Sequence, residues 1–147
     1  MLEIEARSEN VSLARVVATA FVTTLDPTIS ELSDIKTAVS EAVTNAIIHG
    51  YDEPSDKDEI NKTDETVKTV IMHLSFEGKK VTIEVSDKGV GIENIESARE
   101  PLFTTKPEME RSGLGFTVME SFMDVVEVNS TPGVGTTVIM TKTLKEQ

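Results

Sequence analysis

Hydrophobic residues recur every three or four positions in two stretches near the start of the chain, which predicts two amphipathic helices. The first is expected over residues 8–25, where Asp26-Pro27 breaks it. The second follows a Thr28-Ile-Ser-Glu31 capping box and runs to about His49, with Gly50 as its stop. The expected core-facing positions are Val11, Ala14, Val17, Ala18, Phe21 and Leu25, then Leu32, Ile35, Val39, Ala42, Val43 and Ala46.

Other segments alternate between apolar and polar residues, which predicts strands. They are expected at residues 2–6, 66–76, 80–87, 125–130 and 136–142, with a hairpin turn at 77–79 and a further helix at 115–123. These elements predict an α+β fold, with one domain over residues 1–147. It would be a two-layer α/β sandwich whose mixed, mostly antiparallel sheet carries helices on one face.

Two stretches have no clear period. Residues 52–65 hold seven acids and two lysines with hardly any apolar residue, which predicts a mobile acidic loop. Residues 93–112 form a loop long enough to be a functional lid. Within it, Phe103 could close over a base, while Lys106 and Arg111 could neutralise polyphosphate charge. Ordinary solvated charge is the alternative for each of these two cations.

Composition narrows the function classes. The 147 residues include no cysteine and only two histidines, which excludes disulfides and disfavours a zinc site. No segment has the pattern of a signal peptide or of a spanning helix, so a soluble cytoplasmic protein with no membrane contact is expected. The net charge of −12 argues against direct binding to nucleic acid, so any role in transcription would act through proteins.

A polar stripe interrupts the second helix. Glu41, Asn45 and His49 follow one another at one-turn spacing, within about 80° of arc. A carboxylate and an amide oxygen suit Mg²⁺ or a general base, although a solvated stripe on an amphipathic helix has the same pattern. For His49, a structural role at the helix end and a phosphate contact both remain open.

A second candidate is the Asp87-Lys-Gly89-Val-Gly91-Ile92 segment at the end of a predicted strand. Asp87 is in phase with the apolar positions of that strand, so it should point inward, where a carboxylate needs a donor. The glycines allow close approach of a ligand, so an amino-bearing ring held by Asp87 is a coherent interpretation. The alternative is a turn aspartate that caps its own loop.

A third candidate is Ser112-Gly113-Leu114-Gly115, directly before the predicted helix at 115–123. Glycines that open a helix leave N–H groups available to a phosphate. The segment matches neither the Walker A pattern nor the dinucleotide fingerprint.

Together with Gly133-Val-Gly135-Thr136-Thr137, these motifs resemble those of the GHKL family of ATPases and kinases, which use the Bergerat fold. The resemblance covers nearly the whole chain. Within the family it is strongest to bacterial anti-sigma factors that are also serine kinases, in particular those of sporulation. The segments that carry it are Ala6-Arg7-Ser8-Glu9-Asn10, residues 41–51, Pro101-Leu-Phe-Thr-Thr-Lys-Pro107 and Glu110-Arg111-Ser112-Gly113.

The resemblance implies ATP and Mg²⁺ as ligands. Glu41 would be the catalytic base, Asn45 would hold Mg²⁺ and contact the nucleotide, and Asp87 would fix the adenine amino group. Residues 93–112 would be the ATP lid. Further implied nucleotide contacts are Gly89, Gly91, Ile92, Thr104, Thr105, Lys106, Arg111, Ser112, Gly113, Leu114, Gly115 and Thr137.

The resemblance also implies partners. The chain would sequester a sigma factor as a homodimer, phosphorylate a serine of an anti-anti-sigma factor, and use Arg15 for partner contact. One alternative is an isolated catalytic domain of a histidine kinase, but no helix with a phospho-accepting histidine precedes Glu41. Another is a module that binds ATP without turning it over, which the presence of Glu41 argues against.

Overall fold

The computed structural model describes residues 1–50, 68–88, 115–131 and 133–145. The predicted acidic loop at 52–65 and the predicted lid at 93–112 lie outside the described residues.

The described strands form a five-stranded sheet in the order β1-β2-β3-β5-β4. They are β1 (Leu2–Glu5), β2 (Thr69–Glu77), β3 (Lys80–Asp87), β4 (Val125–Thr131) and β5 (Gly135–Thr143). Every pairing among them is antiparallel, so the predicted mixed, mostly antiparallel sheet is confirmed in its antiparallel part. The last of these strands in the sequence, β5, lies inside the sheet between β3 and β4.

The described helices are α1 (Asn10–Thr23), α2 (Ile29–Asn45) and α3 (Gly115–Phe122). Their bounds confirm the three predicted helices, with one difference. The second helix does not remain α-helical to its end, because Ala46–Gly50 continues it as a π-helical turn. Such turns are rare and concentrate at functional sites.

The core lies between the helices and one face of the sheet. Strand residues that face the helices are buried, as the two-residue alternation predicted. The predicted core positions differ in detail, because some of them are only partly buried, namely Val11, Val17, Phe21, Leu25 and Leu32. Val22 and Ala38, which were not assigned to the core, are fully buried. The largest side chains that are almost fully buried are Val22, Ile35, Val39, Val43, Val70, Met72, Val81, Ile83, Val85, Met119 and Met140.

The start of α2 is fixed by the predicted capping box. The Glu31 N–H donates to Thr28 Oγ1 over 3.0 Å, and the Thr28 N–H donates to Glu31 Oε1 over 2.9 Å. The other carboxylate oxygen of Glu31 accepts from the Lys145 N–H over 2.8 Å, and Lys142 pairs with Asp34 over 3.5 Å. The end of β5 and the residues that follow it are therefore tied to the first turns of α2.

These contacts also affect the pKa of Glu31. Burial alone would raise it, but hydrogen bonds from Thr28 and Lys145 and the charge of Lys142 outweigh burial. The pKa of the Glu31 carboxyl consequently lies below its ordinary value of 4.5.

Candidate functional site

A row of three polar side chains crosses the sheet where β3 ends. Asp87 on β3 is in register with Thr136 on β5, and Thr136 is in register with Ser130 on β4. Because directly paired residues point to the same face, all three belong to the face that the helices cover. Asp87 and Thr136 are each 8% exposed, so this polar row is largely withdrawn from water. The inward phase predicted for Asp87 is confirmed.

Hydroxyl groups link two members of the polar row. Ser130 Oγ and Thr136 Oγ1 lie 2.8 Å apart, and Ser130 Oγ also donates to the carbonyl oxygen of Gly135 over 3.2 Å. Polar groups buried in this way need partners, and these contacts supply them.

Gly135 brings β5 close to the end of β3. Its φ angle of 145° is a conformation that side chains rarely adopt. A Cβ atom at this position would collide with the carbonyl oxygen of Asp87 and lie 2.9 Å from Lys88 Cα. Only glycine therefore allows Thr136 to sit beside Asp87 in this backbone arrangement.

A pocket of about 600 Å³ opens at this end of the sheet. It is lined from β3, β5 and β4 by residues of both sheet faces. The lining includes the whole polar row and Val128, together with Ser86 and Thr137 from the opposite face, and Val134. This volume is within the range typical of small-molecule sites.

The end of α2 approaches the same strands. Glu41 and Asn45 lie one turn apart in the last part of α2, and both are half-buried. The π-helical turn that follows contacts both β3 and β5. The fold thus places the predicted base and metal ligand on the helix whose end packs against the strands that bear Asp87 and Thr136.

Thr137 does not join the polar row. It pairs with Ser86, and the two hydroxyl oxygens lie 3.0 Å apart on the sheet face opposite to Asp87. Successive strand residues alternate between faces, so it is Thr136 that shares the face of Asp87. Thr137 also lines the pocket at this end of the sheet, and its role as a nucleotide contact stays a prediction.

Two residues of the polar row were not identified as site residues from the sequence. Thr136 could have been found by pairing Asp87 against the Gly135-Thr136-Thr137 segment and choosing the threonine on the inward face. No pattern in the sequence singled out Ser130, because its place in the polar row depends on the pairing of β4 with β5.

Arg15 lies on α1, closer to the candidate site than its sequence position indicates. Its guanidinium donates to Ser40 Oγ over 3.5 Å and to Ser12 Oγ over 3.4 Å, and Ser40 directly precedes Glu41. Nearby on α1, Leu13 and Val16 are exposed. The surface around Arg15 is therefore part cationic and part apolar.

Of the other predicted nucleotide contacts, Gly115 lies in the described structure and begins α3, as expected. The side chain of His49 is outside the described structure. The remaining predicted nucleotide contacts also lie outside the described residues, namely Gly89, Gly91, Ile92, Thr104, Thr105, Lys106, Arg111, Ser112, Gly113 and Leu114.

The described donors fit a magnesium ion shared with a ligand better than an ion held by protein alone. In the part of the chain that the structure describes, no cluster of three or more His, Cys, Asp or Glu residues could hold a metal. The Asn45 amide and Glu41 carboxylate offer hard oxygens, and Mg²⁺ commonly completes its coordination with phosphate oxygens and water.

The same described residues include no helix long and apolar enough to span a bilayer.

Comparison with known proteins is consistent with this geometry. Residues 4–142 match the family described as the histidine kinase-like ATPase domain. An anti-sigma F factor of Clostridium perfringens (strain SM101 / Type A) is 57% identical over 141 residues, which cover 96% of this chain and 93% of the relative. An anti-sigma F factor of Bacillus velezensis is 50% identical over 145 residues, with 99% and 92% covered.

A solved structure shares the fold. The crystal structure of the RsbU and RsbW domains of a Mycobacterium tuberculosis protein aligns with a TM-score of 0.61 at 20% identity. The alignment covers 97% of this chain and 31% of that longer chain. At this identity the likeness concerns the fold alone.

Proposed function

Because the chain belongs to the histidine kinase-like ATPase family and, within it, to the anti-sigma F factors, we propose that it holds a sporulation sigma factor inactive. We further propose that it uses ATP to phosphorylate a serine of an anti-anti-sigma factor, and that phosphorylation decides which partner it holds. The observation that carries the nucleotide part is the buried polar row beside a pocket of about 600 Å³.

Nucleotide recognition is assigned to the sheet. The Asp87 carboxylate would accept from the exocyclic amino group of adenine, and Thr136 lies next to it in register. Val128 and Val134 would supply apolar contact to the ring. A site that buries its acceptors discriminates strongly against a ligand that lacks the matching donors.

Phosphoryl transfer is assigned to the end of α2. Asn45 would hold Mg²⁺ through its amide oxygen, and the bound ion would neutralise phosphate charge. Glu41, one turn earlier, would accept the proton of the incoming serine hydroxyl. Both side chains are half-buried. The predicted glycine and lid contacts outside the described residues are part of the same proposal.

Partner binding is assigned to the surface around Arg15. A guanidinium flanked by exposed apolar side chains has the composition of an interface hot spot, and Leu13 and Val16 are exposed beside it. We propose that the sigma factor and the anti-anti-sigma factor compete for this surface on a homodimer in the cytoplasm. The net charge of −12 supports contact with proteins rather than with DNA.

A phosphotransfer assay tests the proposal. The purified chain, Mg-ATP labelled on the γ-phosphate and a candidate anti-anti-sigma protein should yield labelled phosphoserine on that protein. The sigma factor should co-purify with the chain in the presence of Mg-ATP. Label that appears only on histidine would favour the histidine kinase alternative, and tight ATP binding without transfer would favour the non-catalytic module.

The assignment of the partner surface has its own test. Arg15→Ala should weaken capture of both partners about tenfold or more while leaving ATP affinity within about twofold. Arg7→Ala is a matched control, because Arg7 is an exposed arginine that pairs with Glu5 and Glu9. Full retention of both partners by Arg15→Ala would move the interface elsewhere.

A further inference from the structure

A lysine lies on the helix-covered face of the sheet, away from the pocket. Lys142 on β5 is in register with the buried Val81 and has the same phase on β5 as Met140 and Thr136. It stands six residues after Thr136, about 20 Å along the strand, and it does not line the pocket. Its side chain is 13% exposed, and a cation so far withdrawn from water needs partners.

The partners of Lys142 come from two helices. Its Nζ donates to the carbonyl oxygen of Phe122, the last residue of α3, over 2.7 Å. The same ammonium pairs with Asp34 Oδ2, near the start of α2, over 3.5 Å. A cation suits the carbonyl end of a helix, because that end has free acceptors and partial negative charge. One side chain therefore joins β5, α2 and the end of α3.

The residues around the end of α3 strengthen this anchor. The Asp124 N–H donates to the Thr141 carbonyl oxygen over 2.9 Å, and Asp124 Oδ2 accepts from the Thr143 N–H over 2.7 Å. Met119 and Met123 are almost fully buried, and α3 packs against α2. The end of α3 is thus held by main-chain bonds, by packing and by the Lys142 ammonium.

The start of α3 is the end with a proposed role in ligand binding. The helix begins at Gly115 and has eight residues, so about 12 Å separates its two ends. Two turns of hydrogen-bonded helix transmit a displacement of one end to the other. The N–H groups at Gly115 are therefore only as well placed as the anchored end at Phe122.

We propose that Lys142 is a positioning residue for the phosphate groups of the nucleotide, and that it acts through α3 without touching the ligand. The inference rests on the proposed function, in which the Gly115 end of α3 contacts phosphate. Helix N–H groups that are already fixed bind an anion without the cost of ordering them. The adenine contacts are assigned to the strands, so loosening α3 should affect the phosphates and spare the base.

The decisive measurement is the ratio of the affinities for ATP and adenosine, because adenosine has the same base and no phosphate. Equilibrium titrations of the full chain with Mg²⁺ give both affinities. Lys142→Met should weaken ATP about tenfold, the scale of one hydrogen bond to a charged group, and adenosine less than about twofold. A residue that merely supports the fold would weaken both ligands by the same factor and leave the ratio unchanged.

Two further lysine variants serve as controls. Lys142→Arg keeps the cation and the donor, so it should restore the ratio to within about twofold of wild type. Lys79→Met is the matched control, because Lys79 Nζ also donates to a main-chain carbonyl oxygen, that of Leu25 in the turn after α1. It should leave the ratio unchanged. Amide hydrogen exchange in α3 should become faster in Lys142→Met and stay as in wild type in Lys79→Met.

A variant of the acidic partner keeps the test available if Lys142→Met does not fold by circular dichroism. Asp34→Asn loosens the same anchor and leaves the lysine in place, at a side chain that is 27% exposed. Its ATP-to-adenosine ratio should fall about threefold, in the same direction as for Lys142→Met.

The outcomes separate the two levels of inference. If wild type does not bind ATP, the proposed function fails. If wild type binds ATP and folded Lys142→Met keeps the wild-type ratio, nucleotide binding stands and the role of Lys142 is refuted. An equal fall in Lys79→Met also refutes it, because the effect would then not depend on α3. Where Lys142→Met is unfolded, a wild-type ratio in Asp34→Asn refutes the role.

Discussion

The two ends of α2 each carry a glutamate, and the surroundings of the two carboxylates differ. At the start, Glu31 is 6% exposed, and N–H groups of Thr28 and Lys145 donate to its two oxygens over 2.9 and 2.8 Å. Near the end, Glu41 is half-buried, one turn before Asn45, and the helix then widens into the π-helical turn. The Glu31 carboxylate is almost fully buried, whereas the Glu41 carboxylate is half-buried.

With the roles proposed above, this difference assigns structural support to the start of α2 and phosphoryl transfer to its end. A carboxylate that its own backbone saturates has little capacity left for a ligand, whereas a half-buried one can accept a proton from a substrate. We therefore expect substitutions at the start of α2 to change stability and substitutions at its end to change activity.

The largest expected effect is on phosphotransfer. Glu41→Gln should bind Mg-ATP within a few-fold of wild type and transfer phosphate about 10²-fold more slowly or worse, as expected for loss of a general base. Single-turnover assays separate binding from chemistry. Glu31→Gln, the same change at the other end, should retain the wild-type rate wherever it is folded. A slow Glu31→Gln or a fast Glu41→Gln would contradict the division.

The next effect concerns magnesium. Asn45→Ala should lose about tenfold or more of the gain in ATP affinity that Mg²⁺ provides, because the amide oxygen is the assigned protein ligand. Titration with ATP in the presence of Mg²⁺ and in EDTA measures this gain. Thr44→Ala alters the adjacent residue, about 100° around the helix, and should keep it. Unchanged metal dependence in Asn45→Ala would remove Asn45 from the site.

A smaller effect, on stability, is expected at the start of α2. Glu31→Ala should lower the free energy of unfolding by about 1–2 kcal/mol, because it leaves capping N–H groups unpaired. Chemical denaturation measures it. Thr28→Ala removes the other half of the box, so the double variant should lose less than the sum of the two single losses. Strict additivity would show that the two halves act independently.

The smallest effect is a pH dependence. Since the pKa of Glu31 is lowered on folding, its carboxylate contributes stability above the ordinary value of 4.5, and the contribution disappears as pH falls toward the folded-state pKa. Wild type should therefore lose more stability than Glu31→Gln between about pH 5 and pH 3. Denaturation curves over this range test it, and parallel pH profiles would contradict it.

The helices and strands could be predicted from the sequence because their patterns of apolar and polar residues repeat along the chain. Spacings of three and four residues located α1 and α2, alternation located β3, and the phase of Asp87 placed that carboxylate on the buried face. The capping box at Thr28 and Glu31 was also predicted, because a cap is a local pattern.

The sequence did not predict what depends on pairing between distant segments. The sequence alone does not show which of Thr136 and Thr137 shares a sheet face with Asp87, and the register of β5 against β3 shows that it is Thr136. The third partner of the α2 cap, the Lys145 N–H, lies 114 positions away from Glu31 and leaves no local signal. The π-helical turn after Asn45 was not predicted either, because the apolar residues before it continue an α-helical pattern.

The position of β5 inside the sheet also orders events during translation. Thr136 and the Lys145 amide are synthesised long after Glu41, Asn45 and Asp87, yet β5 must insert between β3 and β4. Contacts of such sequence separation form late and slow folding. A nascent chain that has not yet released β5 from the ribosome therefore has neither the complete polar row nor a fully fixed α2. We expect the candidate site to form only after β5 has paired with β3 and β4.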